Sequence, residues 1–344
     1  MEEFIKNYSG DKVYSFLKDN EYLSSDDLLV VATGEPINLI NSEKSKYNTL
    51  INLKRINKIK DVDTFFRTAN SVLAQGGLFV GCAETMGQRK VRILKKYPFP
   101  FNSIYFFFDY ILKRVSPKMK MTRWFYLWIT DDRNRVMSQP EIMGRLYYAG
   151  FKEEKRLDID RKTFFIYRKY KEPMSDCKPS YGLWLKAKRI GLNGKIITVY
   201  KFRTMVPYSE FIQGYLYEHN SLKEGGKFNE DFRITHLGSL MRKVWLDELP
   251  MIWNLLKGEI KLVGVRPLSP QYLSLYSKEM QELRATVKPG LLPPFYADMP
   301  KNIEEIMESE RRYIKQCKKH PVKTDFRYFF RILINILFHR KRSA

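Results

Sequence analysis

Apolar residues in this chain fall in short runs whose spacing switches between strand and helix periods. Residues 28–33, LLVVAT, predict a buried strand, and 48–53 predict a second. Residues 62–74 carry helical spacing. Gln75-Gly76-Gly77 predicts a turn into a third strand at 78–82. A helix is expected over 139–149, stopped by Gly150. Residues 151–168 then predict a hairpin ending in an apolar strand. Strands and helices in this order predict an α/β sheet. Residues 172–180, EPMSDCKPS, break the pattern and mark a linker between two halves of similar size.

Beyond the linker the pattern is less regular. Residues 189–202 predict a β-hairpin turning at Asn193-Gly194. Residues 251–256 have apolar helical spacing and stop at Lys257-Gly258. Residues 262–265 predict a short strand, with Arg266 held at its end by Pro267. A terminal helix over 325–339, DFRYFFRILINILFH, places Arg327, Arg331 and Asn335 in one polar stripe. At 1.5 Å per residue it is roughly 20 Å long, too short to span a bilayer. Its apolar positions Phe326, Phe329, Phe330, Leu333 and Leu337 are candidate membrane contacts, with Arg340-Lys341-Arg342 following. The alternative is a buried helix packed on its own domain. A second aromatic run spans 99–112, followed by 124–129. Residues 105–111 within it are a candidate membrane contact, although ordinary core is the stronger expectation there.

Composition narrows the partners. The 344 residues allow two domains, and a hydrophobic fraction of 44% suits packed cores. A formal charge of +23 favours anionic partners: phosphorylated substrates, lipid head groups or nucleic acid. No nucleic-acid module spacing is present, so nucleic acid is not an expected partner. Cys82, Cys177 and Cys317 are scattered and odd in number, which speaks against a disulfide framework or a zinc site. The first ten residues do not have the form of a signal peptide.

The densest chemistry lies in 231–270. Arg242 and Lys243 precede the adjacent carboxylates Asp247 and Glu248, and Pro250 follows. On a continuous helix these charges would share a face. Pro250 either opens a new helix or kinks the old one, which leaves backbone N–H groups near Asp247 free to hold an anion. Arg266 before Pro267 suits bidentate phosphate recognition. Of Lys201 and Arg203, flanking Phe202, one is expected to reach an anion and the other to pair locally.

Two resemblances follow from these motifs. Residues 48–85, with EIMGRLYYAGFK and TFFIYRK, resemble the C-terminal half of a Rossmann-type methyltransferase. The glycine-rich turn that such a fold needs for S-adenosylmethionine is missing, since ATGEP at 32–36 has one glycine. The N-terminal half is therefore expected to be non-catalytic, with no S-adenosylmethionine. KRIGLNGKIITVYKFRTM and FRITHLGSLMRKVWLDELPMIWNLLKGEIKLVGVRPLSP resemble the bacterial sugar transferase family of monotopic phosphoglycosyl transferases. The resemblance covers 181–270 and continues more weakly through VKPG and TDFRYFFRILINIL.

The second resemblance implies an α+β domain with a short β-hairpin, helices and a C-terminal amphipathic helix, beside the Rossmann-like α/β domain. Expected boundaries are 1–171, a linker at 172–180, and 181–344. It also implies transfer of a sugar 1-phosphate from a UDP-sugar to polyprenol phosphate, at the cytoplasmic face of a bacterial inner membrane rich in anionic lipid. The alternative is a weakly active homologue that binds nucleotide sugar or scaffolds other glycan-assembly enzymes. Asp247 would be the nucleophile, and Glu248 would help bind Mg²⁺ or accept a proton. Arg242, Arg266 and Lys201 would be the phosphate-binding cations, with Arg203 and Arg233 as further candidates. Three departures stand out: Val265 in place of the usual proline, LLPPFYADMPKN after VKPG, and the linker where the family has a re-entrant membrane helix.

Overall fold

The computed structural model describes residues 1–41, 43–175, 179–219, 231–300 and 302–339, with the side chains of 120, 217 and 337–339 outside that set. The chain divides into two compact units. The first is Met1–Tyr181 with Val206–Gln213, and the second is Gly182–Met205 with Gly214–Ala344.

The first unit opens with helices α1 (Glu2–Ser9) and α2 (Asp11–Asp19). Strand β1 (Leu28–Val31) and the short helix α3 (Ile37–Ile40) follow. Then come β2 (Tyr47–Arg55), α4 (Val62–Val72), β3 (Leu73–Ala83) and α5 (Met86–Lys96). Helices α6 (Phe101–Tyr110), α7 (Lys120–Thr130) and α8 (Gln139–Tyr148) precede the hairpin β4 (Phe151–Ile159) and β5 (Lys162–Lys169). The sheet order is β1-β2-β3-β5-β4. The first three strands are parallel and the hairpin antiparallel.

Both sheet faces are covered, and the central residues of β2 and β3 are buried consecutively, including the polar Thr49 and Asn52. Ile5, Val13 and Leu17 of α1 and α2 join Ile51, Val80 and Phe164 in one core. On α4, Phe66 meets Phe79, whose ring also packs on Phe151. Asp61 caps α4 by accepting from the Thr64 N–H, and Thr85 with Gln88 forms a capping box on α5. The β4–β5 turn places Asp160 and Arg161 at positive φ, the geometry that matches strand twist in two-residue hairpins.

The turn expected at Gln75-Gly76-Gly77 is strand. β3 begins directly after α4, and the register shift between Tyr47 and Thr49 of β2 is absorbed there with Gly76 at positive φ. A bulged strand and a turn need the same glycine, so local sequence does not separate them.

Val206–Gln213 is anchored within the first unit. Tyr208, at φ 63, donates its hydroxyl to Asp63 and lies under the Arg145 guanidinium, 4.3 Å from ring centroid to Cζ. A Cβ on Gly144 would come within 2.3 Å of the Tyr208 carbonyl, so α8 tolerates only glycine at that approach.

The second unit starts with the hairpin β6 (Trp184–Ile190) and β7 (Ile196–Phe202). Asn193 and Gly194 both take positive φ at its turn, as their sequence predicts. Helices α9 (Gln213–His219), α10 (His236–Lys243) and α11 (Ile252–Leu256) follow. Strand β8 (Lys261–Val263) pairs in parallel with β9 (Gly290–Leu292), and α12 (Pro270–Leu273) and α13 (Lys278–Ala285) lie between them in sequence. Helices α14 (Phe295–Asp298), α15 (Ile303–Lys319) and α16 (Pro321–His339) complete the chain. Its core joins Val263, Val265, Met280, Tyr313, Tyr328 and Ile332.

Helix α16 starts four residues before the expected 325. Its two sequence readings are both partly met. Tyr328 and Ile332 are buried in the core, whereas Phe326, Phe330 and Leu333 are exposed. Phe329 is half-buried against the core, and the Leu337 side chain lies outside the described residues, as do Arg340-Lys341-Arg342. The polar stripe does not face water along its length. Arg331 pairs with Asp298 at 3.0 Å, and Asn335 donates to the carbonyls of Tyr296 and Ala297, tying α16 to α14. Among the described residues no helix is long and apolar enough to cross a membrane.

Candidate functional site

Three close backbone approaches assemble the site. Thr235 caps α10, accepting from the Gly238 N–H at 2.9 Å and donating to the Thr204 carbonyl. A Cβ on Gly238 would stand 2.0 Å from that carbonyl, so the glycine lets α10 rest on the chain just past β7. Gly264 and Gly290 make the second approach: a Cβ on Gly290 would stand 2.1 Å from the Gly264 nitrogen. This crossing explains the glycines of both V-G-V-R-P and V-K-P-G, and it fixes where Arg266 leaves the strand. Asn254 makes the third. Fully buried on α11, it accepts from the Tyr200 N–H and donates to the Thr198 carbonyl and to Glu259.

The carboxylate pair sits at a break, not on a continuous helix. Helix α10 ends at Lys243, and Trp245 takes a left-handed conformation. The 3-10 turn Leu246–Met251 then carries Asp247 and Glu248 in its first turn, and Pro250 lies inside it. The face expected to join Arg242 and Lys243 to Asp247 through helical offsets therefore does not form. Lys243 is exposed, and Arg242 instead donates its Nε to Thr204 Oγ1 at 2.9 Å. Arg242 nevertheless remains in the electrostatic reach of Asp247.

Asp247 is 8% exposed, and its Oδ1 has no hydrogen-bond partner among the described residues. Burial and the adjacent Glu248 charge push its carboxyl above the ordinary aspartate value, while Lys201 and Arg242 pull the other way. Glu248 is held by Lys201, Nζ to Oε1 at 2.5 Å. Burial depresses the Lys201 ammonium, Glu248 opposes that, and the Arg266 charge adds to the depression. Lys201, Arg242, Arg266, Asp247 and Glu248 thus form one electrostatic cluster.

The other two predicted cations do different work. Arg203 donates its Nε to the Gly182 carbonyl at 2.7 Å, tying the strand end to the start of the unit. Arg233, 5% exposed, forms a bidentate pair with Asp231 at the foot of α10. Sequence reasoning missed Thr204, Asn254 and Arg284. Arg284, buried against Glu310, donates to the Arg266 carbonyl at 2.5 Å and so steadies the backbone that presents Arg266. The Arg266 side chain itself is exposed, 5.9 Å from the Phe295 ring. Neighbouring apolar residues are turned outward: Leu237, Leu240 and Val244 at helical spacing on and just beyond α10, then Leu249, Trp253 and Leu256.

Among the described residues no group of three His, Cys, Asp or Glu side chains could enclose a metal ion. A buried carboxylate oxygen without a partner, beside a second carboxylate, still fits Mg²⁺, which commonly takes one or two protein carboxylates and fills its shell with substrate phosphate and water.

The profile of a known family decides what this cluster belongs to: that of "Bacterial sugar transferase" matches residues 178–339. This half of the chain belongs to the bacterial sugar transferase family. Within it, the chain is 43% identical over 109 residues to "Uncharacterized sugar transferase EpsL" of Bacillus subtilis, covering 32% of this chain and 48% of that protein. It is 34% identical to "Undecaprenyl-phosphate galactose phosphotransferase" of Salmonella typhimurium, over 39% of this chain and 28% of that one. A third relative is "UDP-N-acetylgalactosamine-undecaprenyl-phosphate N-acetylgalactosaminephosphotransferase" of Aeromonas hydrophila, 32% identical over 30% of this chain and 22% of its own length. The chain thus spans at most about half the length of these sugar transferases. Among solved structures, a carbon methyltransferase matches at a TM-score of 0.25 over 40% of this chain and 33% of its own, with 12% identity, too low to assign a fold. A mixed, parallel-rich α/β sheet is the description that stands.

Proposed function

We propose that the second unit is a phosphoglycosyl transferase, moving a sugar 1-phosphate from a UDP-sugar to polyprenol phosphate through Asp247. The observation that carries this reading is the buried Oδ1 of Asp247, without a partner among the described residues, beside the Lys201–Glu248 pair. A carboxylate whose oxygen is not consumed by a hydrogen bond is available to attack. Named relatives that act on undecaprenyl phosphate support the acceptor class.

The steps balance as two displacements at one phosphorus. An Asp247 oxygen attacks the β-phosphorus of the donor. The bond from that phosphorus to the α,β-bridging oxygen breaks, and the electron pair leaves with UMP. A phosphate oxygen of the lipid then attacks the same phosphorus, and the Asp247–phosphorus bond breaks to regenerate the carboxylate. Lys201, Arg242 and Arg266 offset charge on the phosphoryl oxygens in both steps. Glu248, beside Asp247 in sequence and paired with Lys201, would take the proton of an incoming lipid phosphate. Where Mg²⁺ is bound, Asp247 and Glu248 are the residues that would hold it, and it would neutralise the donor diphosphate. The outward apolar residues Leu237, Leu240, Leu249 and Trp253 suit an acceptor presented at a lipid surface, as does the exposed side of α16.

The test is incubation of the purified chain with Mg²⁺ and a panel of UDP-sugars, following UMP release and intact protein mass. A phosphosugar adduct is expected on the wild type. Asp247→Asn should lose it, with turnover down by about a thousandfold or more. If the wild type releases no UMP with any donor, with or without polyprenol phosphate, the scaffold reading replaces this one.

A further inference from the structure

Helices α6 and α7 of the first unit are built inside out. In α6, FNSIYFFFDY, the one buried residue is the charged one: Asp109 is 6% exposed while Phe101, Phe107 and Phe108 stand 58–66% exposed. Asp109 accepts a bidentate pair from Arg89 at 2.7 and 2.8 Å and a third bond from Lys113 at 2.9 Å. The helix is therefore held to α5 through ions, and its aromatic rings are left outside. Helix α7, KMTRWFYLWIT, buries one ring but also turns others outward. Tyr126 is fully buried, with its hydroxyl on the Arg133 carbonyl, whereas Trp124 and Trp128 are 67% and 77% exposed.

In water this arrangement is unfavourable at every exposed ring, since burial of an aromatic side chain is a main source of folding stability. Isolated exposed apolar residues are ordinary, but several outward rings on each of two consecutive helices mark a binding surface. Charge identifies what binds it. Between Thr85 and Thr130 there are ten Lys and Arg and one acidic residue, Asp109. That acid is buried and paired, so the exposed charges within 85–130 are positive; Asp131, at the end of α7, is exposed and pairs with Lys60. Lys90, Lys95, Lys96 and Arg123 are all exposed. Trp and Phe side chains beside Lys and Arg are the composition of helices that lie in the interface of an anionic bilayer.

We propose that α6 and α7 form a membrane-binding surface of the first unit, seating their aromatic faces in an anionic bilayer. This surface lies outside the residues matched by the sugar transferase family and stands independently of the transferase chemistry. It gives the first unit a role that needs no catalysis, holding the chain at the lipid surface.

The experiment is flotation of the full chain with vesicles of phosphatidylcholine mixed with phosphatidylglycerol, and with phosphatidylcholine alone. Two exposed-residue variants are compared with wild type: Phe107→Ser/Phe108→Ser and Trp124→Ser/Trp128→Ser. Each should keep the wild-type circular dichroism melt, and combined they should lower the partition coefficient about tenfold or more. Lys95→Glu/Lys96→Glu should weaken partition into anionic vesicles and leave neutral ones unaffected. A drop of less than about twofold in the combined variant, with α16 and the second unit intact, overturns the proposal. Should serine variants melt early, Trp124→Phe/Trp128→Phe keeps the test open. It should partition normally but show less quenching by brominated lipid than wild type, and undiminished quenching overturns the proposal. A wild type that sediments as a dimer, dissociates in the serine variants and partitions unchanged makes a second copy the occupant instead. UMP release in detergent micelles, measured on the same variants, should be unaltered. That readout separates failure of this surface from failure of the transferase reading.

Discussion

At Asp247 the local charges give the proposed reaction a pH response. If Asp247 is the nucleophile, attack requires its carboxylate, so adduct formation should be full above its pKa and fall as pH drops through it. Burial and Glu248 raise that pKa, which places the acid limb above the range of a free aspartate. Lys201→Met removes a cation and should move the limb further up, whereas Glu248→Gln removes an anion and should move it down. The pH profile of the UMP burst checks both, and a limb unmoved in either variant contradicts the assigned cluster. Gly238 offers a steric test at the same scale. Gly238→Ala drives a Cβ into the Thr204 carbonyl, displaces the partner of Arg242, and should cost about 2 kcal/mol or more in a denaturant melt. The clustering of the D-E-L-P and V-G-V-R-P charges was legible in sequence because their residue types and spacing are local. Thr204, Asn254 and Arg284 were not, because each acts on a partner 18–56 residues away in sequence.

Among elements, α16 shows how pattern and packing diverge. Its sequence period is helical and its polar residues recur every fourth position, both of which the structure reproduces. Which side meets water is decided by α14, whose Asp298 and carbonyls draw Arg331 and Asn335 inward. Asn335→Leu should therefore lower the melting temperature by a few degrees, on the order of 1 kcal/mol, because two helix-end carbonyls lose their donor. Phe326→Ser/Phe330→Ser should leave the melt within about a degree of wild type, since both rings are exposed, yet weaken vesicle partition. A melt that falls with the phenylalanines and not with Asn335 would reverse that assignment of faces. The aromatic run at 105–111 is the opposite lesson. Its composition reads as core, and the structure turns it outward because the buried Arg89–Asp109 pair fixes the helix by its polar side.

For the whole molecule, the charge of +23 acts wherever an anionic surface is near. Raising salt from about 0.1 to about 0.5 M shortens the screening length and should weaken partition into anionic vesicles several-fold, with neutral vesicles unaffected. Partition insensitive to salt would leave only the apolar faces as the attachment. Sequence alone determined the strand and helix periods and the family of the second half, because these depend on residue types at short spacing. Tertiary structure decided which residues are out of water. It left Asp247 Oδ1 buried without a partner among the described residues, gave Lys201 to Glu248, returned Val206–Gln213 to the first unit, and turned rings of α6 and α7 outward. Exposure is a property of what the rest of the chain packs against, and no local spacing encodes it.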